Sequence, residues 1–321
     1  MCGGLSMKFS RSLKVVGVHA EGEVGNVIVG GFGQIPGETM FDKRNYLAND
    51  RDWMRQLILK EPRGQVARNA NIIIPSNHPD ADAGYVIMES IEYPVMSGSN
   101  TICVATVLLE TGMVDPVEPV TNLVLESAAG LIPVECHVKD GKVTSARFTN
   151  QPAFVYELDA HVEVEGIGTV RMDVAWGGMT YGIMDARDFG FAITPDEARE
   201  ICDLGEKIKI AAAAKNTVTV SPGRCDRSPC GTGTSARMAV MHARGELAVG
   251  ETFVHKSIID STFNCRIEST TKVGNKEAIV PSIAGQAWIT DLTTLVLDPT
   301  DPYPQGYQIS DTWPKGFDIG L

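Results

Sequence analysis

An α/β (α+β) protein built from two similar halves is predicted by three observations. Strand-like runs dominate the chain, one Ala-rich helical stretch stands in each half, and those two stretches match in register without a gap. The strand-like runs are Lys14–His19, Asn26–Phe32, Asn71–Pro75, Tyr85–Met88, Asn122–Glu126, Leu131–Val138 and His161–Val174. Several alternate apolar with polar residues, the period of a half-buried strand. Turns are marked at Pro36-Gly37, Asp140-Gly141, Gly166-Ile167-Gly168 and Gly177-Gly178. No low-complexity tract or short-period repeat interrupts them. Asn150-Gln151-Pro152, lying between one long β series and the next, is the place to expect a linker. A first domain of residues 1–150 with 290–321 and a second of residues 151–289 follow from it.

The helical stretches align when Ser97 is set against Cys230. Ser97-Gly98-Ser99-Asn100-Thr101 then runs beside Cys230-Gly231-Thr232-Gly233-Thr234, and Gly112 meets Gly245. Each stretch is apolar at helical spacing and ends at a glycine suited to a helix C-cap. Two ordinary core helices with Ser/Thr caps would also look like this. The matched register favours a duplicated functional element instead, one helix per domain with a small nucleophilic side chain at its start.

Composition narrows the function. The chain has 321 residues, 43% of them hydrophobic and 21% charged, which fits a globular protein with a sizeable core. Its formal charge of −12 repels phosphate backbones and anionic lipid, so neither nucleic acid nor membrane is an expected partner. No apolar stretch is long enough to span a bilayer, and Met1–Met7 shows no basic region leading into an apolar run. Seven cysteines without framework spacing suit a reducing cytoplasm.

The start of a helix exposes unpaired N–H groups and carries partial positive charge. It binds a carboxylate and is expected to draw a cysteine pKa below its usual ~8.5. Two such starts facing one another would hold a small carboxylate with one reactive side chain on each of its faces. That arrangement suits removal of a proton α to the carboxylate, because the same donors stabilise the enolate-like charge that develops. Cys230 is the candidate base; an inert buried cysteine is the competing reading.

Other motifs are weaker. Gly231-x-Gly233-x-x-Ala236 fits a loose dinucleotide fingerprint, but polar Arg224–Pro229 precedes it where a hydrophobic strand is needed. Cys225 and Cys230 have no matching pair elsewhere for zinc. His19, beside Glu21 and Glu23, reads as a satisfied structural histidine.

Asp226-Arg227-Ser228-Pro229-Cys230-Gly231-Thr232-Gly233-Thr234 resembles the second cysteine motif of the proline racemase family, and Met96-Ser97-Gly98-Ser99 resembles its first. His19-Ala20-Glu21-Gly22-Glu23, Glu61-Pro62-Arg63-Gly64, Asp173–Gly178 and Ile283–Thr290 are similar to further blocks, so the likeness runs along essentially the whole chain. The resemblance implies a fold like that of diaminopimelate epimerase: two pseudo-symmetric domains, each a curved β-sheet around a central helix. It implies no metal and no pyridoxal phosphate or nicotinamide cofactor. The expected partner is a small molecule, proline or a hydroxyproline, and a homodimer is the assembly the reading allows.

Two departures stand out. Ser97 and Ser99 occupy positions where the family usually has cysteine and histidine, and the stretch 211–223, around Lys215, looks short. A serine hydroxyl is a poor base at neutral pH, so two-face chemistry is expected to suffer. Dehydration of trans-3-hydroxy-L-proline to 1-pyrroline-2-carboxylate needs a base on one face alone, and it is the expected activity. 4-Hydroxyproline 2-epimerisation, alone or beside it, is the alternative. Cys230 is assigned as base, with Ser97 as partner on the opposite face. Amides at Gly98, Ser99, Gly231 and Thr232 would hold the carboxylate. The resemblance gives Asp226 the ring ammonium. A non-catalytic amino-acid-binding protein would share the cleft without needing a reactive thiol.

Overall fold

The computed structural model describes residues 9–213, 224–309 and 312–313. Strands β1 (Arg11–Ala20) and β2 (Glu23–Gly30) form an antiparallel hairpin. Helices α1 (Met40–Asp50) and α2 (Trp53–Leu59) follow, α1 opened by a reciprocal capping box between Thr39 and Asp42. Strand β3 (Arg68–Ile74) runs parallel to β2 and antiparallel to β4 (Ala83–Met88). After α3 (Gly98–Glu110) come β5 (Val120–Ser127), parallel to β4, and the meander β6 (Gly130–Lys139) and β7 (Lys142–Thr149).

The second half opens with β8 (Ala153–Val164), β9 (Gly168–Trp176) and β10 (Thr180–Ile183), paired antiparallel in turn. Helices α4 (Ala198–Ala213) and α5 (Gly231–Ala243) precede β11 (Thr252–Lys256), β12 (Thr262–Val273), β13 (Lys276–Gly285) and β14 (Ala287–Leu297). Strand β14 returns to pair with β1. The path of pairing runs β10-β9-β8-β13-β7-β6-β5-β4-β3-β2-β1-β14, with β12 and β11 branching from β13. Each half wraps curved sheet around one helix: β1, β2, β3, β7 and β14 contact α3, while β8, β9, β10 and β13 contact α5.

Sequence and structure differ in three places. The run His161–Val174 is two strands, because Gly166 and Gly168, both at positive φ, turn the chain back into a hairpin. Three further helices join the two expected, since α1, α2 and α4 cover the outside of the sheet and need only part of a face to be apolar. The Asn150–Pro152 crossing from β7 to β8 is pinned rather than loose. Asn150 is buried and donates to Gly177 O and Ser235 Oγ, both at 2.9 Å. Of the stretch 211–223, residues 211–213 end α4; the rest, Lys215 included, lies outside the described residues, as does Met1–Met7. Among the described residues, no helix is long and apolar enough to cross a membrane.

The two central helices keep their register. Each has 13 residues, starts on a glycine one residue after Ser97 or Cys230, and is followed by a left-handed glycine, Gly112 (φ 70°) or Gly245 (φ 74°). From Gly98 to Leu109 every residue of α3 is buried, as expected of a helix apolar all round. The helix starts touch backbone to backbone. A Cβ on Gly98 would stand 2.8 Å from Gly231 Cα and 2.6 Å from Phe148 Cζ, and one on Gly231 would stand 2.6 Å from Gly98 Cα. Glycine is required at both positions because no side chain fits between them.

Gly98→Ala is therefore expected to force the two helix starts apart. It should destabilise the protein by roughly 1–3 kcal/mol, the usual range for overpacking a core. Urea unfolding monitored by circular dichroism measures this, and an unchanged midpoint would show that the termini do not abut.

Candidate active site

Ser97 and Cys230 are the N-cap residues of α3 and α5. Ser97 has extended backbone, and its hydroxyl caps no helix amide. Instead its Oγ accepts a hydrogen bond from Asn100 Nδ2 at 2.9 Å. Asn71 Nδ2 in turn donates to Asn100 Oδ1 at 2.7 Å and to Gly25 O at 3.1 Å, so a buried amide chain anchored on β2 orients Ser97. With an acceptor site of Oγ already taken, the Ser97 proton is free to point elsewhere.

Cys230 sits in a costlier conformation. Its φ of 62° and ψ of 111° lie where residues with a Cβ are seldom found, and such strain needs the surroundings to hold it. Gly233 N donates to its Sγ at 3.4 Å. The hydroxyls of Tyr181 and Thr232 lie 3.5 and 3.8 Å from the sulfur and 2.6 Å from each other. In α3 the first amide bonded to a helix carbonyl is Thr101 N, to Ser97 O; in α5 it is Thr234 N, to Cys230 O. The amides of Gly98, Ser99, Gly231 and Thr232 come earlier and have no carbonyl within their own helix. They form a paired set of donors suited to an anion.

Behind Cys230 lies an acidic cluster. Glu23, at the start of β2, accepts from Arg224 Nη1 at 2.6 Å, Asn69 Nδ2 at 3.0 Å and Arg227 N at 2.8 Å. Arg224 Nη2 donates to Asn69 Oδ1 at 2.7 Å. These bonds tie the first half to the loop carrying Asp226 and Cys230. Asp226 Oδ1 accepts from Ser228 N and Oγ, both at 2.9 Å. Burial, with the Glu23 charge beside it, raises the Asp226 carboxyl well above the usual range. Burial also lifts Glu89, at the end of β4, to about 7, and Arg224 offsets only part of that rise. Three carboxyl groups thus face one buried guanidinium.

One expectation is reversed. The Cys230 thiol lies above, not below, its usual range. Burial and the Asp226 charge push it up to about 12, and the bonds from Tyr181, Gly233 and Thr232 do not offset them. The helix amides act on the sulfur, but loss of water is the larger effect.

All of the expected site residues, Ser97, Gly98, Ser99, Asp226, Cys230, Gly231 and Thr232, lie on the two helix starts or the loop leading into α5. Sequence reasoning missed Tyr181, Asn100, Arg224 and Glu89. Asn100 was readable, three residues past Ser97 in the same helix; the others arrive only through tertiary packing. His19 is satisfied: its Nδ1 accepts from Gly22 N at 3.2 Å and its ring stacks on Trp288.

Two pseudo-symmetric domains meeting at paired helix starts, with a hydroxyl at one and a thiol at the other, define the class of fold. The family model described as "Proline racemase" matches residues 15–215 and 209–308. The chain belongs to the proline racemase family. The crystal structure of a hydroxyproline epimerase from Agrobacterium vitis, with bound trans-4-hydroxy-L-proline, is 35% identical with a TM-score of 0.90, covering 96% of this chain and 98% of that one. A probable proline racemase from Agrobacterium radiobacter is also 35% identical, with a TM-score of 0.89 and coverage of 94% and 98%. A methylitaconate Δ-isomerase shares the fold at 15% identity and a TM-score of 0.53, over 89% of this chain and 95% of that one.

Two outcomes follow from the charges. Alkylation of Cys230 by iodoacetamide in the ligand-free protein should rise about tenfold per pH unit up to about pH 9, because only the thiolate reacts. A plateau below about pH 8 would show that the helix amides outweigh burial.

Glu89 carries a folded-state pKa above its unfolded value, so the folded protein binds the extra proton. Its contribution is present in acid and is lost as pH rises from the ordinary glutamate range through about 7. Glu89→Gln should therefore raise the melting temperature at pH 8 and change it little at pH 4.5. An equal shift at both values would remove Glu89 from the pH dependence.

Proposed function

We propose that this protein dehydrates trans-3-hydroxy-L-proline to 1-pyrroline-2-carboxylate. The observation that carries this reading is the unequal pair at equivalent helix starts: a thiol at Cys230 and a hydroxyl at Ser97. The substrate carboxylate would lie across the amides of Gly98, Ser99, Gly231 and Thr232. Its ring ammonium would lie toward Asp226, Glu23 and Glu89, and its charge would favour the ionised form of these buried carboxyl groups.

Substrate binding then supplies what the free site lacks. A cation near Asp226 weakens the field that helps to raise the thiol. Tyr181 and Thr232 stabilise the thiolate by hydrogen bonds as it forms. The thiolate takes the α-proton, and the electron pair becomes the C2–C3 double bond as the C3–O bond breaks. In this isomer the 3-hydroxyl is trans to the carboxylate, on the same ring face as the α-hydrogen. Cys230 can therefore return the proton to the departing hydroxide, releasing water. The enamine that remains tautomerises to 1-pyrroline-2-carboxylate. The opposite face needs no base, and Ser97 serves there as a hydrogen-bonding partner.

4-Hydroxyproline 2-epimerisation is the second reading, favoured by the 35% identity to a hydroxyproline epimerase. It requires Ser97 to deliver a proton to the far face. Incubation with each isomer in deuterated water separates the readings. Dehydration is read as pyrroline formed from trans-3-hydroxy-L-proline, and epimerisation as inverted product carrying deuterium from 4-hydroxyproline. Inversion far faster than water loss would overturn the proposal.

Cys230→Ala is expected to abolish turnover at least ~10³-fold with the fold retained, since it removes the base. Substantial α-deuterium exchange in that variant would refute the assignment. Ser97→Cys places a thiol at the equivalent helix start. The ratio of epimerisation to dehydration should then rise about tenfold or more, because only epimerisation uses the second face. A flat ratio would mean that Ser97 does not face Cα.

A further inference from the structure

Cys202 and Cys225 take no part in the chemistry above, yet their sulfurs stand 3.3 Å apart. Cys202 is on the second turn of α4, and Cys225 precedes Asp226 in the loop to Cys230. A disulfide needs ~2.05 Å between sulfurs, so closure asks for a movement of little more than ~1 Å. Both residues are half-buried. Both line two cavities, one of about 360 Å³ with Arg199 and Arg227 on its wall and one of about 450 Å³ bounded by Tyr181. Either cavity is wide enough for a molecule the size of hydrogen peroxide.

We propose that Cys202 and Cys225 form a reversible dithiol–disulfide site whose oxidant is a small hydroperoxide. Cys225 is the attacking thiol. The bond from Cys202 and the charges of Arg227 and Arg224 lower it, whereas Cys202 is raised by the same bond and by burial. Cys225 thiolate attacks one peroxide oxygen, the O–O bond breaks, and sulfenic acid and hydroxide form. Cys202 then attacks the sulfenic sulfur, expelling hydroxide that leaves with the Cys202 proton as water. Two thiols and one hydrogen peroxide give one disulfide and two waters. The bond joins α4 to the loop that carries Asp226 and Cys230.

Peptide mapping of the full chain tests this without reference to turnover. The protein is treated with hydrogen peroxide at a few equivalents, blocked with iodoacetamide, digested and analysed by mass spectrometry. The expected result is a Cys202–Cys225 cross-linked peptide, two hydrogens lighter than its parts and lost on dithiothreitol treatment. Cys230 should remain unoxidised in the same sample. In Cys202→Ser, Cys225 should accumulate sulfenic or sulfinic acid that the parent protein lacks. Cys202 and Cys225 both recovered alkylated, or oxidation falling first on Cys230, would overturn the proposal. The parent protein's map decides the matter if the variant does not fold.

Discussion

The backbone contact between Gly98 and Gly231 governs the rest of the molecule. Two helices can bring their N-terminal amides to bear on one small anion only if their first turns approach to van der Waals distance, and a Cβ on either glycine forbids that approach. The sheet of each half serves this contact. It surrounds its helix, buries the apolar faces, and leaves the polar starts pointing at each other. A long and tortuous strand order is the cost of enclosing two helices and still letting their ends meet.

Charge completes what the backbone begins. The helix starts offer donors to an anion, and the Glu23, Glu89 and Asp226 cluster offers acceptors to a cation. The cluster also bridges the halves, since Glu23 comes from the first and Arg224 from the second. Polar groups at this junction thus hold the two halves together. Burial raises the Cys230 thiol, and the Asp226 charge adds to that rise.

Much of this was legible in the sequence. The gap-free match of Ser97–Gly112 with Cys230–Gly245 forecast two equivalent helices and their exposed starts, because caps and left-handed glycines are local signals. The alternation in β5 and β6 was readable for the same reason. What escaped was non-local. Tyr181 reaches Cys230 from a four-residue strand far back in the chain, and Glu89 meets Arg224 across the domain junction. The direction of the Cys230 shift was misread because a helix start is visible in sequence and burial is not. Helix α1 carries a capping signal at Thr39, and another at Thr194 opens the short 3-10 turn Pro195–Glu197 that leads into α4, but the partly apolar faces of α1 and α4 are easily passed over beside strand-rich surroundings.

The unequal side chains at equal positions give the cleft a sense of direction. Two identical caps would present rotation-related, equivalent surroundings to the two sides of the space between them. A hydroxyl held by Asn100 on one side and a strained thiol beside Tyr181 on the other remove that equivalence. Two stations of the same geometry that carry different side chains leave a scaffold near-symmetric in backbone yet unequal in its chemistry.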